Sequence, residues 1–242
     1  MKRHKKPSRR FGIGEWYGRL FAGLKSGEKR ELAQVQFMKP AKRPPMHCPF
    51  RSATAHLLPC RKEGGICSIR IYELDPATRQ VSVVSGPGSQ LVTTCPYRFM
   101  QDGVVFRWVG ETLLGTPTPL VVGEVGFLER AVSRGTSEGK EKKKEVGRID
   151  NVLVHPGLET LHWCALEKQA VYFSGRGMKK EFRRLRTTHA EGVPFPSEHR
   201  RPDFRSSGAK RLMPQLQIKV PTLRRWGKKM AVVGKQGCLV LS

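Results

Sequence analysis

The chain has 242 residues, which is enough for one buried core and a smaller appended module. Its 45 Lys and Arg against 20 Asp and Glu give a formal charge of +25, which favours a polyanionic partner such as nucleic acid. A hydrophobic content of 38% excludes a wholly disordered chain. No apolar run reaches the roughly 18 to 20 residues that span a bilayer, and no apolar stretch follows the basic start. We therefore expect a cytoplasmic protein without membrane contact.

Residues 1–45 form a basic segment that is interrupted by Pro40, Pro44 and Pro45. Residues 28–37 favour a short helix. The composition of the remainder predicts an N-terminal arm that becomes ordered on a partner.

Residues 46–98 contain short β-like runs at 66–72, 81–85 and 90–94, separated by glycine-rich turns. Four of the six cysteines fall in this stretch, at Cys48, Cys60, Cys67 and Cys95. Their spacing, C-x11-C-x6-C-x27-C, differs from the usual closely spaced pairs. Four thiolates can close a tetrahedral zinc or iron site that staples a small module. Four ordinary buried thiols fit the same pattern, because cysteine is often buried.

Residues 99–242 are predicted to carry the main core. The apolar runs 104–109 and 120–128 fit either helix or strand, because periodicity does not decide short runs. A charged stretch at 133–148 predicts a mobile loop. Residues 215–220 and 230–233 are interpreted as short strands within a basic C-terminal part, and Cys164 and Cys238 as core or incidental thiols.

A predicted hairpin brings two carboxylates together. In the run 161–173 the side chains alternate between faces, so Glu167 and Gln169 point the same way. A Pro-Gly turn at Pro156 folds this run back on residues 149–154, which brings Asp150 towards Glu167. Two converging carboxylates repel each other unless they share a proton or bind a divalent cation.

The arrangement D-x16-E-x-Q has the layout of the PD-(D/E)XK nuclease core, with Gln169 at the position of the usual lysine. Asp150 and Glu167 would then hold Mg²⁺, which polarises the scissile phosphate and activates a water. Glu124, inside an apolar run, either donates a third oxygen or faces solvent. The same pattern also fits a surface hairpin with alternating polar residues.

Several blocks of sequence resemble the NotI family of type II restriction endonucleases, from about Cys48 to Val233. These blocks are HCPFRSATAHLLPCRKEGGICSIRIYE, TTCPYRFMQDGVVFRWVGETLLGT, PLVVGEVGFLER, GRIDNVLVHP, ALEKQAVYFSG and RRPDFRSSGAKRLMPQLQIKVPTLRRWGKKMAVV. Family members continue beyond the last block, whereas this chain ends soon after it. The resemblance therefore predicts a nuclease that is short at its C-terminus.

The resemblance implies an α/β fold: a PD-(D/E)XK core with a mixed sheet flanked by helices, plus a four-cysteine module that binds iron. It also implies Mg²⁺-dependent cutting of double-stranded DNA at a GC-rich palindrome by a homodimer, with a methyltransferase in the host. By the same resemblance, Asp150, Glu167 and Glu124 bind Mg²⁺ and Gln169 completes the catalytic set. The resemblance also implies that the ligands of the iron are Cys48, Cys60, Cys67 and Cys95.

Basic side chains of the C-terminal part are candidates for DNA contacts, at Arg205, Lys210, Arg211, Lys219, Arg224 and Arg225. The expected organisation is an arm at 1–45, a four-cysteine module at 46–98 and a nuclease core at 99–242. The competing hypotheses are a truncated, catalytically inactive DNA-binding relative and a ribosomal-type RNA binder.

Overall fold

The computed structural model describes residues 7–51, 57–86, 89–131, 143–174, 177–187, 194–234 and 237–241. The chain forms two compact units, each made of two separated stretches. The first unit comprises Met1–Gln101 and Ala170–Phe204. The second unit comprises Asp102–Gln169 and Arg205–Ser242.

The fold is mixed α/β, as the sequence predicted. Its helices are α1 (Ser26–Val35), α2 (Val104–Leu114), α3 (Lys179–Thr187), α4 (Phe204–Ser207) and α5 (Met213–Arg225). Its strands are β1 (Ser8–Trp16), β2 (Arg19–Leu20), β3 (Ile66–Leu74), β4 (Val81–Val83), β5 (Val92–Thr93), β6 (Leu120–Val122), β7 (Val125–Ala131), β8 (Lys143–Ile149), β9 (Asn151–Val154), β10 (Trp163–Lys168), β11 (Tyr172–Ser174), β12 (Arg201–Asp203), β13 (Met230–Gly234) and β14 (Gly237–Leu241). Short 3₁₀ turns and one π-helical turn (Gly208–Leu212) connect them.

The first unit is built on an antiparallel sheet in the order β2-β1-β3-β4, with β5 also pairing with β3. The long strands β1 and β3 pair along their length, with Ser8 opposite Leu74 at one end and Trp16 opposite Ile66 at the other. Trp16 is fully buried and stacks on Phe182 of α3, with ring centroids 5.2 Å apart. This aromatic contact joins the sheet to the helix in one hydrophobic core.

Two predicted segments of this unit differ from the structure. Residues 8–16, assigned to a basic arm, form β1, because Ile13 and Trp16 are buried against β3. Residues 46–98 do not form a separate module, because β3 pairs with β1 along its whole length. The predicted helix at residues 28–37 is confirmed as α1, and the three predicted β-runs correspond to β3, β4 and β5.

The second unit contains a mixed sheet in the order β14-β13-β10-β9-β6, in which only β10 and β13 run parallel. Strands β7 and β8 form a separate antiparallel pair. Helix α5 packs through Leu216, Val220 and Leu223 on a core that includes Phe127 and Met230. Their spacing places the three side chains on one helical face.

The prediction of a strand at residues 215–220 is wrong, since these residues lie within α5. A strand would place Leu216, Ile218 and Val220 on one face, but Ile218 is 49% exposed while the other two pack on the core. The predicted strand at 230–233 is confirmed as β13.

The two ambiguous apolar runs take different forms. Residues 104–109 form the first part of α2. The helix begins after Gly103 and ends before Gly115, and both glycines have the left-handed backbone conformation. Residues 120–128 divide into β6 and β7. Most of the predicted charged loop 133–148, namely residues 133–142, lies outside the described residues, and residues 143–148 belong to β8.

None of the helices in the described part of the chain is long and apolar enough to cross a membrane.

Candidate active site

The predicted hairpin is present in the second unit. Strands β9 and β10 pair antiparallel, with Trp163 opposite Val154 and Leu166 opposite Asn151. Asp150 lies between the end of β8 and the start of β9, where the chain passes from one sheet to another. The predicted run 161–173 is divided between β10 and β11, which belong to different units.

Hydrogen bonds cross between the two acidic residues. The backbone N–H of Lys168 donates to Asp150 Oδ2 at 2.7 Å. The backbone of Asp150 in turn hydrogen-bonds the carboxyl group of Glu167. The backbone next to Glu167 thus orients the Asp150 carboxylate, and the backbone of Asp150 orients the Glu167 carboxyl group, which holds both groups at one place.

Glu167 occupies an electrostatically demanding position. It lies on the central strand β10, beside Val232 of β13, and is only 4% exposed. Burial raises the pKa of its carboxyl group, a hydrogen bond from Lys219 lowers it, and the nearby charge of Asp150 raises it again. The net pKa is raised, so the ionised form of Glu167 depends on a cation close by.

Lys219 of α5 is that cation in this structure. Its Nζ lies 2.6 Å from Glu167 Oε1 and 3.1 Å from Gln215 Oε1, and it also donates to the backbone carbonyl of Arg148. The side chain of Lys219 is 3% exposed. Sequence reasoning assigned Lys219 to DNA phosphates, but a buried ammonium paired with Glu167 is not placed like a surface phosphate contact.

A signal for Lys219 exists in the sequence. It lies three residues after Leu216 and four before Leu223, on the face of α5 that packs on the core. Once residues 213–225 are recognised as a helix, a lysine on its apolar face requires a buried acceptor. The incorrect strand assignment concealed this requirement.

An open cavity of about 440 Å³ lies beside these groups. Its lining residues are Glu124, Phe127, Gly147, Arg148, Asp150, Gln215, Ile218 and Lys219. Glu124 follows β6 and pairs with Arg148 at 3.3 Å, and both side chains are more than half exposed. Glu124 therefore shares the cavity with Asp150 but faces solvent.

Gln169 lies one residue beyond the end of β10. Its backbone N–H donates to the carbonyl of Val233 at 2.8 Å, which continues the pairing of β10 with β13. At the position where the predicted PD-(D/E)XK layout would have a lysine, the chain carries a neutral amide. Its part in catalysis remains a prediction.

The residue types at this place fit Mg²⁺. Carboxylate oxygens are the protein ligands that Mg²⁺ prefers, and one or two carboxylates with several waters commonly suffice. Within the described ranges no group of three or more His, Cys, Asp or Glu lies close enough to hold a metal. Asp150 and Glu167 therefore offer two carboxylates, and Glu124 is not gathered with them.

The four cysteines of the predicted module lie in the first unit, and none of them is joined in a disulfide. Cys48, Cys67 and Cys95 are buried and Cys60 is partly buried. Backbone hydrogen bonds from Cys48 to Leu58 and from Cys95 to Cys67 bring distant parts of the segment together.

The thiols influence one another electrostatically. Burial, followed by smaller contributions from Cys95, Glu15 and Cys60, raises the pKa of Cys67 to about 12. Burial and the proximity of Cys48 likewise raise the pKa of Cys60. The donor types suit a soft metal, but the described residues do not gather the sulfur atoms into a coordination sphere.

The other basic candidates lie on the surface. Arg205, Lys210, Arg211, Arg224 and Arg225 are exposed on the continuous helical stretch formed by α4, the π-helical turn and α5. Their positions leave the guanidinium and ammonium groups accessible to a polyanion.

Paired carboxylates beside an open cavity in a strongly basic chain are typical of metal-dependent nucleases. Comparison with protein families agrees: the family described as restriction endonuclease NotI matches residues 29–239. The chain therefore belongs to the NotI restriction endonuclease family. Neither the curated proteins nor the solved structures compared with the chain gave a match.

Proposed function

We propose that the protein is a type II restriction endonuclease that makes Mg²⁺-dependent double-strand cuts in DNA at a GC-rich palindrome. The observation that carries this proposal is the pair Asp150 and Glu167, held together by crossed hydrogen bonds at the edge of an open cavity. Membership of the NotI family supports the reaction class. The mixed sheet and the hairpin position of both carboxylates are consistent with a PD-(D/E)XK core.

Asp150 and Glu167 are the residues that would hold Mg²⁺. When bound, the ion supplies polarisation of the scissile phosphate and an acidic water for in-line attack. The N–H of Lys168 keeps Asp150 oriented towards this place. The Gln169 amide can accept and donate hydrogen bonds, so it is suited to orient a water but not to neutralise charge. Glu124 lines the same cavity as Asp150.

Recognition of a palindrome favours a homodimer, because a two-fold symmetric protein presents two equivalent sites to antiparallel strands. Arg205, Lys210, Arg211, Arg224 and Arg225 are proposed to contact phosphates or guanine edges. A methyltransferase with the same sequence specificity is expected in the host.

The four cysteines are proposed to hold a structural iron or zinc ion. Neighbouring cysteines contribute to the raised pKa of Cys60, Cys67 and Cys95, so a cation among these thiols would stabilise their ionised form. Elemental analysis of the purified full chain tests this directly. About one iron or zinc per chain, lost when the cysteines are replaced by serine, is expected; metal-free folded protein would refute it.

The nuclease proposal is tested by incubating the full chain with Mg²⁺ and a GC-rich plasmid. Discrete fragments are expected from the wild type and none from Asp150→Ala. Glu159→Gln is a matched control, because Glu159 is an exposed acid in the loop of the same hairpin. Uncut DNA from a folded protein that binds duplex would instead identify a catalytically inactive relative.

A further inference from the structure

Lys219 is a buried charge to which the proposed reaction gives no role. Burying an ammonium is costly unless acceptors replace its water. Glu167, Gln215 and the carbonyl of Arg148 supply three acceptors, as many as the ammonium has N–H donors. The group is therefore fully hydrogen-bonded at one place.

The Lys219 ammonium supplies a positive charge that the strand after Glu167 lacks. After Glu167, the chain carries the neutral Gln169 where the predicted PD-(D/E)XK layout has a lysine. The ammonium that contacts Glu167 comes instead from α5, 52 residues further along the chain. The cavity wall formed by Asp150, Arg148 and Lys219 thus contains a lysine that the strand motif lacks.

The helix holds this lysine rigidly. Leu223 is 1% exposed, and Leu216 and Val220 pack with it against the sheet. Gln215, one turn before Lys219, binds the same ammonium. The entropic cost of ordering this side chain is therefore already met before any substrate binds.

We propose that Lys219 is the positioning residue of this site: delivered from the helix, it orients and counter-charges Glu167 in place of the missing strand lysine. This inference rests on the proposed function. It has a consequence for metal binding, because an ammonium and a divalent cation compete for the same carboxylate. Removing the ammonium should therefore strengthen Mg²⁺ binding and, because Glu167 is no longer held in place, slow cleavage.

The first measurement is calorimetric titration of the full chain with Mg²⁺ alone. Lys219→Met should bind Mg²⁺ about tenfold more tightly than the wild type, as expected for removal of one nearby positive charge. If Lys219→Met does not fold, Lys219→Gln, which retains hydrogen-bonding capacity, is titrated instead. Lys219→Arg keeps the charge and should keep the affinity close to that of the wild type.

The second measurement is the single-turnover rate on the DNA that the wild type cuts. Lys219→Met should lower this rate by about 10²-fold or more, the magnitude usual for a preorganised charged contact. Adding Gln169→Lys to Lys219→Met should restore part of the rate by returning the ammonium to the strand. Lys29→Met is the matched control, since Lys29 is also buried on a helix but lies in the first unit.

A purely structural lysine predicts different results. Unchanged or weakened Mg²⁺ binding in both uncharged variants, or an unchanged cleavage rate, would overturn the proposal. A wild type that binds Mg²⁺ but cuts no DNA would refute the proposed function alone. The titration would then still decide whether Lys219 counter-charges Glu167.

Discussion

At the scale of single residues, the pair Glu167 and Lys219 dominates the electrostatics of the candidate site. Both side chains are almost completely buried, and their atoms lie 2.6 Å apart. Replacing only one partner of such a pair leaves the charge of the other buried without a counter-charge. Replacing both partners by neutral groups leaves no uncompensated charge. The pair is therefore expected to behave as one unit in unfolding experiments.

We expect Glu167→Gln to lower the free energy of unfolding by about 3–5 kcal/mol, because the Lys219 ammonium remains buried without its counter-charge. The double variant Glu167→Gln/Lys219→Met should recover much of this stability. Urea denaturation of both single variants and the double variant measures the coupling. Additive effects of the two substitutions would contradict a coupled buried pair.

At the scale of elements, α5 positions Lys219 by packing its apolar face on the sheet. Leu223 is buried to 1% exposure, while Ile218 on the same helix is half exposed. The contact between Trp226 and Phe127, with ring centroids 5.7 Å apart, supports the C-terminal end of the helix. The helix is thus a rigid support for the ammonium, and its packing should affect both stability and catalysis.

Leu223→Ala should lower the free energy of unfolding by about 2–5 kcal/mol, because it leaves a cavity in the core of the second unit. Ile218→Ala, on the exposed face of the same helix, should change it by only about 0.5 kcal/mol. Chemical denaturation of the two variants compares these positions. Equal decreases would mean that the assigned buried face of α5 is incorrect.

At the scale of the whole molecule, a charge of +25 predicts binding to DNA that weakens steeply with salt. The exposed arginines of the helical stretch 204–225 lie on the same stretch of helix as the buried Lys219. Their contribution is separable from the buried Lys219, which already has a counter-ion within the protein.

Replacing Arg224 and Arg225 together by Gln should weaken binding to duplex DNA and reduce the salt slope by about one for each phosphate that is no longer neutralised. Fluorescence anisotropy over a series of salt concentrations measures that slope. Arg183→Gln, an exposed position on α3 in the first unit, controls for the removal of positive charge alone. If all variants show the wild-type slope, these two arginines do not bind phosphates.

The meeting of Asp150 with Glu167 could be predicted because it depends on local order. Alternating side chains, a Pro-Gly turn and a separation of 16 intervening residues determine which residues of a hairpin face each other. The family could likewise be recognised from sequence blocks, and the family comparison confirms it. The helix α1 was also predictable from its own residues.

The position of Lys219 and the burial of β1 could not be predicted in the same way. Lys219 meets Glu167 across 52 positions of the chain, and Ser8 meets Leu74 across 66. In both cases short apolar patterns fit more than one structure, and only contacts with remote segments select between them. The sequence by itself thus determined the family, the charge and the carboxylate pair. Tertiary packing decided which cation faces that pair, because a buried ammonium is tolerated only where the fold brings its acceptors together.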